Sequence, residues 1–162
     1  MLLREPVCFG SAAPLPAATT DEVRWLIETI GSADQDNWSS KALNSAIWRV
    51  VEPEGNWAFD DDHGWMKQDP EDTVAFDQAP DFLGDPRCAL QIARPDCFIE
   101  ISLAAEGTIR AMLTRSTPDL LVERRGRGLA RQVCLACLDA ILADAEAGLL
   151  KLGTKLLEPV RG

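Results

Sequence analysis

Residues 88–114 restrict the fold most, because their apolar side chains alternate instead of recurring at helical spacing. "CALQIA" puts Leu90 and Ile92 on one side of an extended segment. "CFIEISL" puts Ile99, Ile101 and Leu103 on one side and Phe98, Glu100 and Ser102 on the other, and "TIRAMLT" aligns Ile109, Ala111 and Leu113. Pro95-Asp96 separates the first two runs, and "AAEG", with Gly107 at the bend, separates the second pair. Links this short join antiparallel neighbours, since a parallel pair needs a crossover of a dozen residues or more. The runs therefore read as an antiparallel meander, with Ile101 and Leu113 on its covered side.

The covering elements flank it. "TTDEVRWLIETIG" has capping-box spacing at Thr19 and Glu22, a stripe of Val23, Leu26, Ile27 and Ile30, and a stop at Gly31. "SKALNSAIWRVV" carries Leu43, Ile47 and Val50 with Ala46 beside them, and Pro53 ends it. After the strands, a last helix starts near Gly128 and shows a broad apolar face of Leu129, Val133, Cys137, Leu138, Ile141 and Leu142. "RSTPDLLVERRGRG" before it reads as loop. The order helix, helix, strands, helix predicts an α+β fold, an α/β/α sandwich with a small antiparallel sheet of about three to five strands and helices on both faces. At 162 residues the chain is expected to form one domain over residues 19–147. Residues 1–18 read as a flexible arm and 148–162 as a C-terminal extension. With no signal-peptide pattern and no long apolar run, the chain is expected in the cytoplasm, away from membranes.

Charge is distributed unevenly within a net −10. Glu52 to Pro86 holds eleven acidic side chains and Lys67 as its one base, whereas Arg110 to Arg131 holds six arginines against Asp119 and Glu123. The net sign argues against nucleic acid, which needs a basic face. The 52–86 segment reads as an acidic insertion whose middle can form a hairpin, with "NWAF" and "WMKQ" as arms and "DDDHG" as the turn.

Three stretches resemble the phage ABA-sandwich family of small phage and prophage proteins. "ALNSAIWRVV" is similar to that family's "LDxAIxxAL" helix, with Asn44 where Asp is usual. "DPRCALQIARPDCFIEISL" is similar to its strand pair "DAALTLVPxGWxWxI", and "GLARQVCLACLDAIL" to its helix "TPALALCxAALxA". Ala89, Leu90, Pro95, Cys134, Ala136, Leu138 and Ala140 match. Cys97-Phe98 stands where the family has Gly-Trp, and Arg131 and Gln132 stand where it has apolar residues. The resemblance covers about residues 39–145 and implies an α/β/α sandwich and a phage-encoded accessory protein. It implies no catalytic residue.

Several clusters carry candidate chemistry. "RRGRGLARQ" brings Arg124, Arg125, Arg127 and Arg131 to a helix start at Gly128, where backbone N–H groups and the helix dipole favour an anion. It is neither a Walker motif nor a dinucleotide fingerprint. The alternative is a loop whose arginines answer the acidic segment. Trp57, Phe59 and Trp65, with Asp60, Asp61 and Asp62, form either a satellite core or a surface for a host or phage protein. Asp60 to His63 offers hard metal ligands, which leaves a metal-dependent enzyme as a third reading, although the segment lacks EF-hand spacing. Cys134 and Cys137 lie on an apolar stripe and read as buried packing residues, not zinc or redox ligands. The leading expectation is a protein that acts by binding a partner through its acidic segment, without catalysis, cofactor or metal. The arginine stretch as a site for a phosphorylated small molecule or nucleotide is the alternative.

Overall fold

Thr19 opens the first helix for a local reason. Its Oγ1 accepts the Glu22 amide hydrogen at 3.2 Å and satisfies one of the N–H groups that a helix start leaves without a partner. The computed structural model describes residues 18–32, 40–54, 57–60, 64–68 and 76–153. This helix, α1, spans Thr20–Gly31 and buries Val23, Leu26, Ile27 and Ile30. Helix α2 spans Ser40–Val51 and buries Leu43, Ile47 and Val50, together with Trp48 and Val51. Asn44 is buried beside them and fastens a later loop: its Nδ2 donates to Asp81 Oδ1 at 3.0 Å, and its Oδ1 accepts the Leu83 amide at 3.1 Å. That clamp seats Phe82, which is fully buried.

The expected hairpin forms. Strand β1, Trp57–Asp60, pairs antiparallel with β2, Gly64–Gln68, and β2 pairs with the two residues of β3, Phe76–Asp77. Gly64 takes φ 75, a conformation that suits glycine at the hairpin's return.

Two of the expected elements differ in the structure. "CALQIA" is not a strand: Pro86–Leu90 forms a short helix, α3, and the chain leaves it through a turn. Asp85 Oδ1 accepts the Arg87 amide at 2.9 Å and Pro86 occupies the first turn, so capping prevails over the alternation. "RSTPDLLVERRGRG" is not a loop: its middle forms strand β6, Asp119–Gly126. It pairs with β5, Ile109–Ser116, which pairs with β4, Phe98–Leu103, all antiparallel. The meander exists, displaced by one strand. A turn through a cis Thr117-Pro118 bond joins β5 to β6.

Helix α4, Leu129–Glu146, buries Ala130, Val133, Cys134, Leu135, Ala136, Cys137, Leu138, Ala140 and Ile141. Apolar side chains on nearly every side mark a helix enclosed by others. It lies over β5 and β6 on one side and meets α1 and α3 elsewhere, while α1 touches α2 and α2 carries the hairpin sheet. The protein is thus a mixed α+β fold with its core centred on α4. Among the described residues the helices lie between two three-stranded sheets, not on the two faces of one. The acidic insertion supplies the second sheet. Leu113, Cys137 and Leu138 are buried as expected, but Ile101 is 42 % exposed and Leu103 is 74 % exposed, because α4 reaches β5 and β6 and stops short of β4.

One polar pair sits inside this core. Arg115 follows Ala111 and Leu113 on the inner side of β5. Its Nη1 and Nη2 donate to the Asp144 carboxylate at 2.6 and 2.7 Å, and its Nε donates to the Pro118 carbonyl at 2.9 Å. The side chains are 5 % and 6 % exposed. The pair ties the outer end of β5 to the last turns of α4.

Candidate functional site

Strand β6 delivers the arginines. Its alternation turns Arg124 inward and leaves Arg125 outward, and the chain then passes through Arg127 to α4. The structure does bring Arg124, Arg125, Arg127 and Arg131 to one place. With Ile30, Gly31 and Ser32 at the end of α1, and with Gly126, Gln132 and Leu135, they line a pocket of about 260 Å³.

The four guanidiniums are not equivalent. Arg124 forms a fork with Asp139 of α4: its Nη2 donates at 2.7 Å and its Nε donates to the other carboxylate oxygen. Those hydrogen bonds hold the Arg124 pKa above its ordinary value. Arg125 donates to Glu123 at 2.9 and 3.0 Å, and Glu123 also accepts from Arg110. Among the described residues Arg127 and Arg131 have no carboxylate partner, and neither is buried. The arginines therefore divide into one clamp to α4, one surface pair and, among the described residues, two without a carboxylate partner. Acids of the 52–86 segment pair with none of the four among the described residues.

From α4, Arg131, Gln132 and Leu135 line the pocket, and the start of that helix lies beside it. Gly128 is the N-cap of α4, with φ 86, and no side chain caps the helix. Among the described residues its first-turn amides therefore have no side-chain cap, and the dipole adds positive potential there. The glycines have structural explanations. Gly128 adopts a φ that side chains resist. Gly126 is required by close approach, because a Cβ there would meet the Gln132 amide nitrogen at 2.6 Å. Gln132 is buried and donates to the Arg127 carbonyl at 3.0 Å, which holds the turn in place. So both glycines shape the turn, and Gly126 also lines the pocket.

The aromatic residues divide in a similar way. Trp57 is buried and meets Trp48 edge to face, with ring centroids 5.4 Å apart. Its Nε1 is buried without an acceptor among the described residues, and nothing in the structure explains this. Phe59 and Trp65 face each other across the hairpin at 5.3 Å. They close one side of an apolar cleft of about 480 Å³, whose other walls are Trp25, Leu26, Leu43 and Val50. At its base the Arg49 guanidinium lies 3.6 Å from the Trp65 ring centre and donates to Glu22 at 2.6 Å. Trp25, which the sequence left unremarked beside its buried stripe, is 43 % exposed at the rim. Asp60 belongs to β1, while Asp61, Asp62 and His63 lie outside the described residues. The metal-site reading therefore falls outside the described residues.

Cys134 and Cys137 are buried, as their apolar stripe implies. Burial pushes the Cys137 thiol up to about 12 and Cys134 higher still, so both stay protonated and inert at neutral pH. Among the described residues no helix is long and apolar enough to cross a membrane. No family model, curated protein or solved structure matches this chain.

Proposed function

We propose that this protein works by binding a small anion, a phosphorylated or otherwise strongly acidic metabolite, in the arginine pocket at the start of α4. One observation carries the reading: Arg127 and Arg131, without carboxylate partners among the described residues, line a concave site together with Arg124 and Arg125. The size of the pocket limits the ligand. Sites that enclose a whole drug-sized molecule usually span about 300–1,000 Å³, so about 260 Å³ suits a phosphate or pyrophosphate group with the rest of the molecule outside. Each charge-assisted hydrogen bond to such a group contributes about 1.5–3 kcal/mol before ordering costs.

Calorimetric titration with pyrophosphate and nucleoside triphosphates at low salt tests this. Binding that weakens with salt and vanishes in Arg127→Ala/Arg131→Ala supports the site. Absence of heat with every anion overturns it.

A second reading keeps the partner-binding role for the hairpin side, as a phage-encoded accessory protein engaging a host protein. Its support is the cleft between α1, α2 and the hairpin, where Trp25, Phe59 and Trp65 offer the aromatic anchors common in interface centres. The resemblance to the phage ABA-sandwich proteins supports the accessory role.

A further inference from the structure

Strand β4 is the end strand of its sheet among the described residues, and it lacks the features that normally blunt an edge. "FIEISL" contains no proline and no lysine, and Glu100 is its one charge. The opposite edge, β6, carries Glu123, Arg124 and Arg125. Both faces of β4 also leave apolar surface uncovered. Phe98 is 69 % exposed on the outer face, while Ile101 and Leu103 stay open on the inner face.

The register shows what fits against it. On the outer face, Glu100, Met112 and Glu123 form one cross-strand row, and Ser102, Arg110 and Arg125 form the next. One row is acidic and its neighbour basic. On the inner face, Ile99, Ile101 and Leu103 project at successive alternate positions. We propose that β4 pairs with β4 of a second copy of this chain, antiparallel about a two-fold axis at Ile101, to give a continuous six-stranded sheet.

The axis position follows from the side chains. A two-fold normal to the sheet keeps inner faces together, so it must pass through a residue. Centred on Ile101, it sets Ile101 opposite its symmetry mate, Ile99 opposite Leu103, and Glu100 opposite Ser102. The inner residues that the two β4 strands set against each other are then all apolar, and each acidic outer row runs into the partner's basic row. Ser102 is small, so Glu100 can approach the partner chain's equivalent of Arg110 across two strand spacings, about 9.5 Å. Centred instead on Glu100, the axis would set two carboxylates directly opposite, which destabilises a strand pair. With the axis at Ile101 the surface thus complements itself. This interface is independent of the anion pocket, which lies against β6.

Sedimentation of the full chain and directed cross-linking test the proposal. The wild type should show a concentration-dependent doubling of mass. Ile101→Lys, which places two ammonium groups at the axis, should abolish the doubling with an unchanged far-ultraviolet spectrum. Residues directly opposite have Cβ atoms about 4.5–5.5 Å apart, so Ile101→Cys should form a disulfide dimer on mild oxidation, above the level of wild type. Leu103→Cys, whose symmetry mate would lie four residues along the sheet, should not. A wild type that stays monomeric at every concentration, a dimer that persists in Ile101→Lys, or equal cross-linking by the two cysteine variants would each overturn the interface. A heterologous strand partner would appear as the first of these outcomes.

Discussion

Replacing Asp144 by alanine should cost this protein a large fraction of its stability. Arg115 and Asp144 are almost fully enclosed, and the fork between them supplies two of the three hydrogen bonds to the guanidinium. Without the carboxylate, a permanently charged group stays in the core with the Pro118 carbonyl as its remaining acceptor. Removing one partner of a buried pair typically costs about 3–5 kcal/mol, because the other charge loses its compensation. For a chain of this length each kcal/mol moves the melting temperature by about 2–4 °C, so Asp144→Ala should melt about 6–20 °C lower. Replacing both partners, as in Arg115→Met/Asp144→Leu, should return most of the loss, since apolar residues of similar volume often match or exceed a buried ion pair. Urea denaturation followed by circular dichroism measures all three proteins. A single-variant loss below about 1 kcal/mol, the level of an exposed pair, would refute the placement of this pair in the core. So would a double variant as unstable as the single one.

Other consequences are as direct. The Glu123 carboxyl is held below its ordinary range by hydrogen bonds from Arg110 and then Arg125. Its pKa is lower folded than unfolded, so its contribution is complete above the ordinary value of about 4.3 and is lost as pH falls through the folded value. The stability difference between wild type and Glu123→Gln should accordingly be present at pH 7 and disappear in acid. Cys134 and Cys137 should resist alkylation in the native protein and react once urea unfolds it, as read by mass spectrometry of peptides. Gly128→Ala should lose about 1–3 kcal/mol, the cost of forcing a side chain into a sparsely populated backbone region, which the same denaturation assay would show.

The sequence was legible where one periodicity acted alone. Val23, Leu26, Ile27 and Ile30 announce α1, and Thr19 announces its start. It was less legible where local chemistry opposed periodicity. In "DPRCALQIA" the alternation of Leu90 and Ile92 suggested a strand, yet Asp85-Pro86 is a helix-start signal and prevailed. In β6, Leu120 and Val122 alternate properly, but Arg124 occupies the next inner position and disguises the strand. Its burial is compensated by Asp139, fifteen residues away on another element, and no short window reveals such a pair. Phe82 was obscured in the same way, since the Asn44 clamp that buries it joins segments far apart in sequence. The arginine cluster itself was plain. Its division into paired Arg124 and Arg125 and, among the described residues, unpaired Arg127 and Arg131 depends on tertiary partners, and the sequence does not show them.

A crystal of the protein grown with pyrophosphate tests most directly where an anion binds. Density for the ligand should lie in the pocket against the guanidiniums of Arg127 and Arg131, with the Arg124–Asp139 fork intact. Pyrophosphate bound elsewhere on the molecule, with Arg127 and Arg131 turned to solvent, would contradict the account.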